Sequence, residues 1–388
     1  MNWEDLIIDA AATDTGMRRS NNQDSYAIVR ASNPESWRHR GHLFMVADGM
    51  GAHAVGELAS KLACDNIPHH YTKTRNGTPA EAVTKAYQQV GALIHSRATA
   101  NKEFEGMGTT CSTLILLPVG ALIAHVGDSR VYRVRNGRID QLSFDHSLLW
   151  ELIRRNHLKS EQAAKSVPRN VITRSLGPDP TVEVDIEGPL AVEPGDVYVL
   201  CSDGLSGPVE DPEIGAFASY FHPEDACRYL IHLANLRGGP DNVTALVVRV
   251  GPWIEPGDPA AAAAAVDDDA PATRKTGRGF HLTKLIPSLH RKAPPEPVEE
   301  HRYQSADCPI NPALLKRMTD VVRATKATAI DQAWNLDWPS LANLVREADE
   351  ARTAGDLRGM LHRLGDEIVL LGTAGRLHKK DQSQNHAS

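Results

Sequence analysis

Five aspartates in the first 250 residues stand where apolar, strand-like runs begin or end. Asp48 follows "FMVA", Asp128 follows "IAHVG", Asp203 follows "VYVLCS", Asp241 precedes "NVTALVV", and Asp24 opens "DSYAIV". Each has Gly, Ser or Asn as a neighbour. One such aspartate is ordinarily a turn former or a helix cap. Several presented alike are harder to assign to turns, because carboxylates gathered in one place repel and cannot all stay ionised without compensation. Divalent cations supply that compensation, and an oxygen-only set without His or Cys favours Mg²⁺ or Mn²⁺ over zinc. Glycine beside a ligand lets a backbone carbonyl or a water approach closely.

The elements that must position these carboxylates are legible as short β-branched or apolar runs bounded by turn residues: "HLFMVADG", "CSTLILL", "ALIAHVGDSRVYRVRNGRI", "DVYVLCSDG" and "NVTALVVRV". In "VYRVRNGRIDQLS" an Asn-Gly pair joins two strand-like runs, a hairpin signal because both residues tolerate positive φ. "LLPVGALIA" holds a second tight turn. Helical periodicity fits "AVGELASKLACDNIPHHY" and "TPAEAVTKAYQQVGALIHSRATA", the latter with Thr78 as cap and Pro79 at the first helical position. Helices bracketing groups of hairpin strands predict an α+β fold with antiparallel sheets.

The chain has 388 residues, 41% hydrophobic and 23% charged, within the ordinary range for a globular protein. A net charge of -7 argues against the whole chain being a nucleic-acid binder. Cys64, Cys111, Cys201, Cys227 and Cys308 are scattered without a CxxC pair, which suits reduced thiols and a cytoplasmic protein. No signal-peptide pattern or transmembrane run is present. Composition breaks after Val250, where Ala, Pro, Gly and charge dominate. The expected organisation is a main domain over residues 1–253, a flexible Ala/Pro-rich linker over 254–305 and a small helical accessory region over 306–388. Arg274, Lys275, Arg278, Lys284, Arg291 and Lys292 give the linker a basic patch, a candidate for docking on an acidic partner or an anionic membrane surface. In the last region Leu314, Met318, Val321 and Val322, then Leu341, Leu344, Val345 and Ala348, then Leu357, Met360, Leu361, Leu364 and Ile368 recur at helical spacing. Gly355-Asp356 reads as a helix stop followed by the next cap.

The series "RRSNNQD", "VADGMGAHAVGE", "GMGTTCSTLIL", "AHVGDSRVYR", "DHSLL", "ITRSLG", "LCSDGL" and "GGPDNVT" resembles, in order, the motifs of bacterial PP2C-type (PPM) protein serine/threonine phosphatases, from about residue 5 to residue 250. The resemblance implies an α/β/β/α sandwich of two antiparallel sheets flanked by helices. It implies hydrolysis of phosphoserine and phosphothreonine by a water activated between two metal ions, without a phosphoenzyme. Asp48 would bridge two Mn²⁺ or Mg²⁺ ions, Gly49 would lend its carbonyl, and Asp203 and Asp241 would complete the set. Asp128 would serve a third, weaker ion. Arg19 would hold the substrate phosphate with a planar guanidinium fork, and Asp24 would order a metal-bound water. His53 is a candidate general acid, although Ala52 replaces the second glycine of the usual Gly-Gly-His. The stretch from about Leu148 to Pro180 corresponds to the variable flap beside the active site.

Other residues have plainer readings. Glu57 suits a helix N-terminus, Asp145 reads as a helix cap, and Gly108, Thr109 and Thr110 read as packing under the site. Ser129 and Arg130 fit a supporting or a structural role. The expected partners are phosphorylated proteins, including a Ser/Thr kinase that the enzyme opposes. Two alternatives are a partner-switching phosphatase acting on an anti-anti-sigma-like regulator and an inactive adaptor working through its C-terminal helices. The presence of Asp48, Asp203 and Asp241 weighs against the latter.

Overall fold

The computed structural model describes residues 7–51, 55–154, 168, 171–252 and 303–385. The first sheet is built from β1 (Ile7–Asp14), β7 (Arg130–Arg135), β8 (Arg138–Gln141), β10 (Val197–Cys201), β11 (Val243–Val250) and β12 (Gln304–Asp307), in the order β1-β11-β10-β7-β8-β12. The second contains β2 (Asp24–Val29), β3 (His42–Met50), β5 (Cys111–Leu117), β6 (Gly120–Val126) and β9 (Asp185–Leu190) in the order β2-β3-β5-β6-β9, with β4 (Gly108–Thr109) paired to the end of β3. Every paired ladder among the described residues is antiparallel. The expected Asn-Gly hairpin joins β7 to β8, with Asn136 at φ 51° and Gly137 at φ 73°.

Alternation within the strands separates the layers. On β3, Phe44 and Val46 enter the apolar core between the sheets, where they meet Leu114, Leu116, Tyr198, Leu200, Leu246 and Val248. The intervening Leu43, Met45 and Ala47 face the opposite way, onto the helices α2 (Val55–Lys73) and α3 (Pro79–Ala100). Thr78 caps α3 and completes a capping box with Glu81, as its sequence predicts. On the other sheet, Val197, Val199 and Cys201 of β10 face outward. They are covered by α6 (Asp211–Tyr220) and α7 (Pro223–Leu236). Short helices lie at Pro34–Arg40 (α1), Leu148–Arg154 (α4) and Asp203–Ser206 (α5). The result is the α/β/β/α sandwich expected from the motif series.

Three further helices follow: α8 (Pro312–Asp331), α9 (Trp338–Ala354) and α10 (Leu357–Asn385). Gly355 ends α9 in the left-handed conformation at φ 74°, and Asp356 Oδ1 then accepts the Gly359 amide at 2.8 Å, so the predicted stop and cap are both present. Leu314, Met318, Leu361, Leu364 and Ile368 are buried in the same apolar cluster as Phe217, Tyr229 and Leu233. The helices are therefore layered onto α6 and α7. Residues 304 and 305, placed by composition in the linker, belong to β12, which pairs with β8. "QSAD" has neither alternation nor β-branched residues, so no periodic signal marked it as a strand. The basic patch of the linker lies outside the described residues, as does His53. No described helix is long and apolar enough to cross a membrane.

Candidate active site at one end of the sandwich

Antiparallel pairing carries the five aspartates to one end of the two sheets. Asp24 opens β2 and Asp48 lies two residues before the end of β3, directly opposite each other in the β2–β3 register. Asp128 follows β6, Asp203 follows β10 in the first turn of α5, and Asp241 lies two residues before β11. Arg19, in the connection between β1 and β2, donates from Nη2 to Asp241 Oδ2 at 2.7 Å. Each residue thus leaves a strand from the same end, which is why spacing in sequence and proximity in space differ so much.

Glycine matters most at position 49. A Cβ there would stand 2.0 Å from the Gly56 carbonyl oxygen and 2.7 Å from that of Gln23, so the backbone of α2 could not approach. The main chain at Asp48 is held from below: its amide donates to Thr110 Oγ1 at 3.0 Å, and its carbonyl accepts from Thr110 N and Thr109 Oγ1, both at 2.9 Å. The two threonines support the site as expected. Thr110 Oγ1 also contacts Ser129 Oγ at 2.8 Å, which gives Ser129 a supporting role.

Asp24 is buried, and its Oδ2 accepts hydroxyl hydrogen bonds from Ser202 and Thr244, each at 2.7 Å. Neither donor stood out in the sequence. Both flank the β10–β11 ladder, and their aim at Asp24 follows from tertiary register alone. Asn242 is a third unmarked residue: its Nδ2 donates to the carbonyls of Thr15 and Asn21, both at 2.9 Å, and its Oδ1 accepts the Gln23 amide at 2.8 Å. It fastens the loop that carries Arg19 to the strand that follows Asp241.

Asp145 is not the cap that "DHSLL" suggested. Its carboxylate is taken by Arg130, whose Nε and Nη2 donate at 3.0 and 2.7 Å, and by Gln141 Nε2 at 2.9 Å. A bidentate guanidinium outcompetes backbone amides for a carboxylate, and Ser147 Oγ instead accepts from an amide of the first turn of α4, that of Trp150, at 3.3 Å. Arg130 is thereby structural. Next to it His146, missed in the sequence, accepts the Gly127 amide at 3.0 Å and pairs through Nε2 with Asp185 at 3.0 Å, fixing the loop that presents Asp128.

The carboxylates perturb one another. Burial, then the charges of Asp203 and Asp241, hold Asp24 up at about 7 despite its two hydroxyl donors. Burial, then Asp203 and Asp145, raise Asp128 to about 7. Burial and the neighbouring Asp24, Asp203, Asp128 and Asp241 raise Asp48 well above the ordinary carboxylate range. Asp203 rises through burial and Asp241, partly offset by its hydrogen bond with Asp48 and by Arg19 and Arg130. Desolvated like charges without enough countercharge are the electrostatic signature of a functional site.

Asp24 Oδ1, Asp128 Oδ1 and Asp203 Oδ1 are buried without a hydrogen-bond partner among the described residues. All the donors are hard oxygens. Among the described residues, however, no three His, Cys, Asp or Glu side chains stand close enough to form a closed metal site. Asp241 is turned onto Arg19, as expected of repelling carboxylates that take the nearest cation. The set fits cations in its chemistry and its orphaned oxygens.

This fold and site define the protein phosphatase 2C class: the family match spans residues 17–235, and the chain belongs to that family. Within it the protein is a serine/threonine protein phosphatase. It is 32% identical over 243 residues to protein phosphatase PhpP of Streptococcus pneumoniae, covering 61% of this chain and 95% of that one. Its fold matches the S. agalactiae serine/threonine phosphatase with a TM-score of 0.57 at 32% identity, over 63% of this chain and 99% of the other. The catalytic domain of PstP, solved in complex with two manganese ions, matches with a TM-score of 0.53 at 31% identity over 63% and 99%.

Proposed function

We propose that the protein hydrolyses phosphoserine and phosphothreonine in other proteins by a two-metal mechanism, in the cytoplasm, opposing a Ser/Thr kinase. The observation that carries this reading is the convergence of Asp24, Asp48, Asp128 and Asp203 with raised pKa values and three orphaned carboxylate oxygens. Asp48, Asp203, Asp241 and the Gly49 carbonyl would hold two Mn²⁺ or Mg²⁺ ions, and Asp128 a third. Bound cations supply Lewis acidity that lowers the pKa of water and neutralises charge on phosphate oxygens.

The chain's own residues do the rest. Arg19, half-exposed at the rim, offers a guanidinium fork to phosphate oxygens once Asp241 turns away from it. Asp24 keeps one oxygen on Ser202 and Thr244 and leaves Oδ1 to orient a water and accept its proton. Ser202, Thr244 and Thr110 fix this geometry before substrate arrives. His53 lies outside the described residues, and its role as general acid stays a proposal from the motif. Residues 1–253 form the catalytic part, and the accessory region the part available for docking. PhpP and PstP are phosphatases; phosphoproteins as the substrates of this chain follow from that family membership.

Phosphate release from a phosphothreonine peptide tests this reading. Release is expected with Mn²⁺, absent in EDTA, and restored by adding Mn²⁺ back. Equal release in EDTA would overturn the metal-dependent mechanism.

A further inference from the structure

The family match ends at residue 235, and from the C-terminal helices one side chain reaches toward the site. Helix α10 crosses α7 at close range through two glycines. A Cβ at Gly365 would stand 2.9 Å from the Tyr229 ring, and one at Gly372 would stand 2.4 Å from His232 Nδ1. One turn beyond Gly372, Arg376 Nη1 forms an ion pair with Asp14 Oδ2.

Asp14 is the last residue of β1, and its other oxygen joins two loops. Asp14 Oδ1 accepts the Gly16 amide at 2.8 Å and Asn235 Nδ2 at 3.1 Å. Gly16 begins the loop that carries Arg19, and Asn235 precedes the loop that carries Asp241. These loops are locked together: Met17 N donates to the Gly239 carbonyl at 2.9 Å. Gly16 sits at φ +78° with so little room that a Cβ would lie 2.1 Å from the Asp241 carbonyl oxygen. The Asp14 side chain is 11% exposed, and among the described residues Arg376 is the cation paired with it.

We propose that Arg376 is a positioning residue for phosphomonoester hydrolysis: from the C-terminal helices it holds Asp14, and through Asp14 the paired loops of Arg19 and Asp241. The proposal rests on the reading of Arg19 as the phosphate-holding residue. It gives the accessory helices a direct task. Seating α10 on α7 sets the substrate end of the site, and anything that lifts α10 loosens it. A charge pair of this exposure is modest in strength, so the effect falls on substrate affinity and not on folding.

The test uses the full chain with Mn²⁺. Arg376→Ala should raise KM for para-nitrophenyl phosphate about two- to fivefold, with kcat changed less than about twofold. Arg376→Lys should recover most of the loss, and Gly372→Leu, which changes neither partner but lifts the helix and draws Arg376 off Asp14, should reproduce it. Amide exchange at Gly16 and Met17 should quicken in Arg376→Ala. Arg19→Ala, run alongside, separates the two readings. If Arg19→Ala raises KM while Arg376→Ala changes neither KM nor exchange at Gly16 and Met17, the positioning role is overturned. If exchange quickens in Arg376→Ala but neither variant alters KM, the loop contact stands and the phosphate-holding reading of Arg19 fails. A lower melting temperature in Arg376→Ala, with KM and exchange at those two amides unchanged, reduces Arg376 to a structural contact.

Discussion

Asp24→Asn in the metal-free protein should stabilise the fold at alkaline pH while removing a residue assigned to catalysis. Asp24 is buried, and its folded pKa stands at about 7 against an ordinary 3.8, raised first by burial and then by Asp203 and Asp241. Between those values the folded state binds more protons than the unfolded one, so stability falls as pH rises, by about 1.4 kcal/mol per unit for one group. Integrated from pH 5 to pH 8, the penalty on ionised Asp24 grows by about 2–3 kcal/mol. Asparagine does not titrate, keeps the shape, and presents a carbonyl oxygen to Ser202 and Thr244. Comparing the two pH values cancels any pH-independent cost of the amide. The assay is urea unfolding of both proteins in EDTA at pH 5 and pH 8. The variant should gain about 2–3 kcal/mol relative to wild type between the two. An unchanged difference, or one that moves against the variant, would refute the account of a strained, like-charged cluster.

Gly49→Ala should abolish phosphatase activity, because its methyl group would stand 2.0 Å from the Gly56 carbonyl and force β3 and α2 apart; a variant with wild-type turnover would show that the approach is dispensable. Truncation after Gly251 should produce a protein that melts several degrees lower and aggregates more readily. The helices it removes bury Met318, Leu341, Leu361, Leu364, Ile368 and Leu371, all at most 3% exposed, and each such side chain contributes about 1.5–3 kcal/mol. A truncated form that melts like the full chain would show that the helices contribute no stability to the sandwich.

The aspartates and the strands that carry them were legible because each pairs a local apolar run with a turn signal. The Asn136-Gly137 hairpin and the Thr78 cap were legible for the same reason: their physics is complete within a few residues. What escaped was everything decided by register between distant segments. Ser202 and Thr244 become donors to Asp24 only when β10 and β11 meet the start of β2. Asp145 has the local signature of a cap, but Arg130, 15 residues earlier, claims its carboxylate. The strand β12 has no pattern of its own and exists because the edge of β8 offers unpaired backbone groups. Arg376 was one basic residue among many on an amphipathic helix, and only the packing of α10 over Gly372 brings it to Asp14.

The central claim is that the converging aspartates bind divalent cations on which hydrolysis depends. Titration calorimetry of Mn²⁺ into the metal-free protein tests it most directly, beside Asp48→Ala and Asp203→Ala. Wild type should bind two Mn²⁺ ions or more, and each variant should lose binding at one or both of those sites while remaining folded. Full Mn²⁺ binding by folded Asp48→Ala and Asp203→Ala would contradict the claim.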